Sequence, residues 1–319
     1  MTEAETAGRF YEDNYDLVAS HVITPGVQKQ ILPSSTPGAC RFCGRSKSEA
    51  TFRNEAHAIP ESTGNRTLLI CFECDECNQR FGTGIENDFG CWTRPMRVLA
   101  RIPGKNGFPA VRLDHAGGWR IQGGSAGVLN ITGDDNPAFV EDEQNKLVHI
   151  KQPRDPYTPI GVVKALVKMA LTIVPEEELG AFRDAMRWIG DPDHAAGRHL
   201  AHPVLETLVP GDVPSRLFAV AVWRRKHDRL NVPYATFTLT YANVILQTFL
   251  PSPTLNANIA GKTTRVYRFP HITELIPTAT GPSLTTHHDM SGAEVFKGGV
   301  VEAALSFDKR IDRKGQSGS

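Results

Sequence analysis

Apolar residues run almost unbroken over positions 160–173, where Val162, Val163, Leu166, Val167, Met169, Ala170 and Ile173 wrap a wide helical face. A helix with so broad an apolar surface belongs in a core rather than on a rim. Pro175, followed by Glu176, Glu177 and Glu178, then opens a second helix, since proline and acids suit a first turn. It carries Leu179, Phe182, Met186, Trp188 and Ile189 and stops at Gly190-Asp191-Pro192, which predicts a helical hairpin. Elsewhere the pattern shortens to that of strands: 119–122, 128–132, 217–223, 266–269, and two more within 234–249, broken near Tyr241-Ala242-Asn243. The glycine-rich run 123–127 reads as a hairpin turn, because no Gly-Lys-Ser/Thr follows to make a phosphate loop. An acidic, exposed connection follows at 133–143. Residues 102–308 thus predict an α+β domain, a helical hairpin against a mixed or antiparallel sheet, with 309–319 as a frayed polar tail.

Upstream, residues 1–38 read as an N-terminal arm and linker: a short helix, then Pro33-Ser34-Ser35-Thr36-Pro37-Gly38. Tyr11, Tyr15, Leu17 and Val18 would dock this arm on the body or on a second copy of the chain. Residues 39–101 are different in kind, because all the cysteines lie there: Cys40, Cys43, Cys71, Cys74, Cys77 and Cys91. Residues 50–57 look like a strand stopped by Pro60, Ser62-Thr63-Gly64-Asn65 a turn, and 67–71 a second strand. Asp75-Glu76 suits the first turn of a helix. The predicted order is strand, loop, strand, helix.

Composition narrows the chemistry. The chain has 319 residues, enough for two domains, and Lys+Arg and Asp+Glu stand at 35 each, for a formal net charge of zero. That argues against a polybasic membrane binder or a histone-like wrapper and leaves room for a local nucleic-acid patch. The acidic start Thr2-Glu3-Ala4-Glu5 is the opposite of a secretory leader, and no apolar run approaches the roughly 20 residues a membrane span needs. The expected address is the cytoplasm, where thiols stay reduced and clustered cysteines point to metal. Cys40-x-x-Cys43 supplies one knuckle, and either Cys71-x-x-Cys74 or Cys74-x-x-Cys77 the other, the spacing of a small structural zinc site.

The segment Glu55-Ala56-His57-Ala58-Ile59-Pro60, flanked by two knuckles and with Asn78 directly after Cys77, resembles the HNH endonucleases, the ββα-metal nucleases. The resemblance is to the branch with Glu-x-His-x-x-Pro and Cys-x-x-Cys-Asn and covers about residues 40–90. It implies a zinc-stapled ββα-metal module, with Cys40, Cys43, Cys74 and Cys77 as structural zinc ligands. The 74/77 knuckle is preferred because it leaves Asn78 at the helix start; Cys71 is then a small apolar strand residue and Cys91 a buried thiol.

It further implies His57 as general base and Asn78 as a ligand of a catalytic divalent metal, Mg²⁺ or Mn²⁺. Three positions depart from the family pattern. Ala56 stands where an acidic or histidine ligand is frequent, and Gly82 where a second helical ligand falls. The asparagine that orients the base falls near Leu69, and Asn65 is the nearest here. Glu55, two residues from His57 on the strand, and Glu86 further along the helix are the candidate replacements. Arg41, Arg45, Arg53, Arg66 and Arg80 surround the expected site as candidate phosphate contacts. The implied substrate is DNA, with RNA admitted by the same chemistry.

HNH modules joined to sensing domains also occur in bacterial anti-phage systems. By that resemblance the chain is expected to be a defence effector, restrained through residues 102–308 by a ligand, a partner protein or self-association. The rival expectation is a zinc-containing nucleic-acid-binding module that has lost its catalytic metal. Two further clusters, His287-His288-Asp289 and Asp191, Asp193, His194 with His199, sit in loop-like sequence and lack a second motif, so no metal is expected there.

Overall fold

The computed structural model describes residues 2–23, 26–34, 36–104, 107–113, 119–124, 128–133, 139–195, 203–211, 218–264, 266–270, 281–309 and 311. The chain begins with helix α1 (Glu3–Asn14), started by Thr2, whose hydroxyl accepts from the Glu5 amide while the Glu5 carboxylate takes the Thr2 amide. Strands β1 (Tyr15–Ile23) and β2 (Gln30–Leu32) follow. Next come β3 (Ala56–His57), β4 (Leu68–Ile70), helix α2 (Asp75–Thr83) and helix α3 (Ile85–Leu99). β3 and β4 are antiparallel, giving the expected ββα order, and β2 adds to β4 in parallel.

Beyond them, β5 (Ala110–Leu113), β6 (Trp119–Gly123) and β7 (Leu129–Thr132) form an antiparallel meander. β9 (Leu147–Pro153) pairs antiparallel with β8 (Phe139–Asp142) on one side and with the late strand β15 (Val300–Ser306) on the other. Helix α4 (Pro159–Ile173) and helix α5 (Arg183–Gly190), the latter entered through a 3₁₀ turn Glu176–Phe182, make the predicted hairpin. The largest sheet has six antiparallel strands in the order β1, β11 (Phe218–Arg225), β12 (Ala235–Tyr241), β13 (Val244–Phe249), β10 (Pro203–Leu208), β14 (Leu284–Asp289). The fold is α+β, as the sequence predicts.

Several elements differ from the sequence reading for identifiable reasons. Residues 50–55 are not strand, because the Asp75 carboxylate at the start of α2 accepts from the amides of Arg53 and Asn54 and from the Thr51 hydroxyl. Residues 266–269 form no strand: the Gln247 side chain holds them, donating to the Tyr267 carbonyl and accepting from the Phe269 amide. Phe10, Tyr11, Tyr15, Trp223, Tyr267 and Phe269 stack there as an aromatic cluster that seats the N-terminal arm. The arm is thus docked on the body, with β1 as an edge strand of the large sheet, paired Tyr15 to Arg225 through Ile23 to Phe218. His287, His288 and Asp289 lie in β14 rather than a loop. Cys71 lies exposed just past β4, whereas Cys91 is buried in α3 as expected. His199 and most of the 123–127 turn and of the 309–319 tail fall outside the described residues, as do 134–138 of the expected acidic connection, whereas 139–142 of that connection are strand β8, held by pairing with β9.

Helix α4 is the centre of the molecule. Every residue from Ile160 to Ile173 is buried, the two lysines Lys164 and Lys168 included, so the apolar face is not a face but the whole circumference. The segment holding the cysteines grips this helix at both ends. Asp88 of α3 accepts from the Thr158 amide at 2.9 Å, at the N-terminus of α4. Gly161 lets it approach, since a Cβ there would lie 2.2 Å from the Asp88 Oδ2. At the other end Arg41 donates to the carbonyls of Leu171, Thr172 and Val174 at 3.0, 2.8 and 3.1 Å. An acid at the N-terminus and a base at the C-terminus is the arrangement the helix dipole favours. One hydrophobic cluster accordingly joins Cys40, Phe72, Phe81 and Trp92 to α4 and to the six-stranded sheet, across position 101.

Candidate metal centre and active site

The first knuckle is a turn closed by Cys40 N–H to the Arg45 carbonyl and Gly44 N–H to the Cys40 carbonyl, both 2.8 Å. Gly44 takes φ of 74° there, a conformation a side chain would strain. The second knuckle is the start of α2: Cys74 caps the helix and Cys77, three residues on, lies on the same face. The positive end of the helix favours thiolates at these positions. All four Sγ atoms lie within 4.8 Å of one another, and Cys43 and Cys74 are 3.7 Å apart. Zn–S bonds of about 2.3 Å set the edges of a sulfur tetrahedron near 3.8 Å, so the cluster fits zinc. Cys71 lies outside this group, which resolves the second knuckle as 74/77. Four thiolates leave a bound zinc no open position, which makes it structural.

Two arginines face the sulfurs. Arg45 donates to Cys43 Sγ at 3.4 Å and Cys74 Sγ at 3.9 Å and pairs with Glu76, while Arg80 donates to Cys77 Sγ at 3.6 Å. Four thiolates around Zn²⁺ keep a formal charge of about −2, which these guanidiniums offset. Of the five arginines read as phosphate contacts, Arg41 is spent on α4, and Arg66 reaches the carbonyls of Pro103 and Gly104. Arg53 alone of the five has an exposed side chain with no such partner among the described residues.

His57 sits opposite Leu69 in the β3–β4 ladder, and the next amide, Ala58 N–H, reaches the Leu68 carbonyl. Its ring is half-buried, with Nδ1 enclosed and without a partner. Burial pushes its pKa below the ordinary histidine value, with Lys29 adding to this and Glu61, Glu55 and Glu86 pulling the other way. The ring is therefore neutral at pH 7, the state a general base requires.

Asn65 is fully buried, and its side-chain amide bonds to main chain rather than to the His57 ring. Its Nδ2 donates to the carbonyls of Ile59 and Leu68 at 2.8 and 3.0 Å, and its Oδ1 accepts from the amides of Leu68 and Thr67 at 2.9 and 3.2 Å. All four hydrogen-bonding positions of the amide are thereby used. Asn65 thus ties the backbone just past β3 to β4 through main-chain groups alone.

Glu55 is exposed and paired with Lys29 at 2.8 Å; it lies just outside β3. Glu86, in the first turn of α3, is 2.9 Å from the Lys168 ammonium. Lys168 also meets Glu73 at 3.0 Å, and Glu73 is buried so deeply that its carboxyl is raised to about 7. Asn78 lies half-buried on α2, its amide bonded to the Cys74 carbonyl. Among the described residues the four cysteines form the one group of three or more His, Cys, Asp or Glu side chains at metal-binding distance. A magnesium or manganese ion manages with one or two carboxylates when phosphate and water complete its shell. Glu86 and Asn78, one carboxylate and one amide, are the groups this chain would offer such a sparse set. Glu73, Lys168 and Lys29 were not singled out from the sequence, although two lysines in an otherwise apolar helix signal buried partners.

Among the described residues no helix is long and apolar enough to cross a membrane. No curated protein and no solved structure matches the chain. Residues 40–91, which hold the four-cysteine cluster and the ββα segment, match the family model of the HNH endonucleases.

Proposed function

We propose that the chain is a metal-dependent endonuclease that hydrolyses phosphodiester bonds in DNA, with His57 as the general base. The observation that carries this reading is a neutral, half-buried histidine on the ββα hairpin of an HNH module, its Nδ1 without a partner. In the reaction a water oxygen attacks phosphorus, His57 takes the proton that water loses, and the bond to the 3′ oxygen breaks. Glu86 and Asn78 are the residues that would hold a Mg²⁺ or Mn²⁺, which when bound would supply charge neutralisation on the phosphate and leaving oxygen. The four-thiolate zinc and Asn65 keep β3, β4 and α2 in register and take no part in proton transfer. Arg53, exposed beside the module, is the arginine available to contact the DNA backbone.

A second reading rests on the same residues. Glu55 and Glu86 are held in ion pairs, and Ala56 and Gly82 stand at frequent ligand positions, which suits a module that binds DNA without cutting it. Incubating the zinc-loaded chain with supercoiled plasmid separates the two. The nuclease reading predicts nicking that needs Mg²⁺ or Mn²⁺; retardation of the DNA without nicking under either ion supports the binding module. Restraint by the remainder of the chain, as in an anti-phage effector, is a further part of this proposal, supported by the grip of the module on α4.

A further inference from the structure

Lys168 lies on α4, far in sequence from the matched segment, yet its ammonium is 1% exposed and sits between two carboxylates of that segment. The rings of Phe42 and Phe81, 5.4 and 5.6 Å from Nζ, flank it and themselves meet edge to face. An ammonium enclosed in this way has one place to be. Glu73 is wholly buried, whereas the Glu86 side chain, at the first turn of α3, keeps 16% of its surface and its negative charge acts on His57. Of the two carboxylates the ammonium meets, Glu73 is enclosed with it, whereas Glu86 reaches toward the surface, so the ammonium fixes from the interior a carboxylate that solvent can reach.

Resting on the nuclease reading above, we propose that Lys168 is a positioning residue of the active site, holding the Glu86 carboxylate in the orientation in which it meets a divalent cation. It is not a catalytic residue, since its burial keeps it from substrate. Groups that orient a metal ligand are typically worth 10- to 100-fold in affinity or activity. The alternative role, simple countercharge, predicts the opposite sign: removing the ammonium would leave two carboxylates and tighten cation binding.

The test is Mn²⁺ binding to the zinc-loaded full chain, read from the free Mn²⁺ EPR signal, in wild type, Lys168→Met, Glu86→Gln and the double variant. Each single substitution is expected to weaken binding about 10- to 100-fold, and the double to be no weaker than Glu86→Gln alone. In plasmid cleavage kcat should fall while KM for DNA stays within about twofold. Unchanged or tighter Mn²⁺ binding in Lys168→Met overturns the proposal. If that variant does not fold, Glu73→Gln/Lys168→Met removes the buried ion pair from both sides and is read the same way. A wild-type chain that binds no Mn²⁺ overturns the metal-dependent reading itself and this proposal with it.

Discussion

Asn65→Ala separates a backbone clamp from a residue acting on the base. The amide is 0% exposed, and so are Ile59 and Leu68, to which it bonds. Truncation removes four hydrogen bonds. The Leu68 carbonyl keeps its bond from Ala58, so three backbone groups lose a partner where water does not easily replace it. At about 1–3 kcal/mol for each stranded group, and with partial relaxation, the loss should be roughly 3–5 kcal/mol. That is a large part of the 5–15 kcal/mol typical of a folded protein. Urea denaturation followed by tryptophan fluorescence measures it, and with a slope near 3 kcal/mol/M the midpoint should fall by about 1 M or more. Trp92, 1% exposed in the same core, is a suitable reporter. A midpoint shift below about 0.3 M together with abolished cleavage would refute the clamp and return Asn65 to a catalytic role.

Other outcomes follow from the same contacts. Arg41→Met should cost about 2–4 kcal/mol in denaturation, since it strands carbonyls at the buried end of α4, while zinc content stays unchanged. Stripping zinc should cost more than the local fold, because binding energies of about 10–16 kcal/mol are tied to such sites and one core spans the module, α4 and the large sheet. Near-UV circular dichroism should then lose signal across the chain; loss of the zinc with an intact tertiary spectrum would count against a shared core. Burial lowers the pKa of His57, so its neutral form persists to lower pH, and the rate should fall as pH drops through that lowered value. The acid limb of the cleavage profile should lie below about 6.5, and a midpoint above it would contradict His57 as the base.

The parts of this molecule that could be read from sequence are those set by short spacing. The knuckles, the strand–strand–helix order, the buried helix at 160–173 and the hairpin at Tyr241-Ala242-Asn243 depend on neighbours within a few residues, and the structure has them. Contacts between distant positions could not be read in that way. Nothing local in Tyr15–Ile23 says that it pairs with Phe218–Arg225, since either strand would satisfy many partners. The arginines show the same limit for side chains. Arg41 capping three carbonyls, Arg45 on two sulfurs and Arg53 open to solvent have one sequence signature and three environments. Lys168 was hidden because helical periodicity counts a lysine as a gap in an apolar face, whereas its partners come from another part of the chain.

The central claim is that His57 is the base of a DNA-cutting site, and plasmid cleavage by His57→Ala tests it most directly. The zinc-loaded variant, checked for one zinc per chain and an unaltered denaturation midpoint, is compared with wild type in Mg²⁺ and in Mn²⁺. General-base catalysis contributes typically 10²–10⁴-fold, so nicking should fall by about that factor while DNA binding persists. Cleavage by His57→Ala at the wild-type rate would contradict the account.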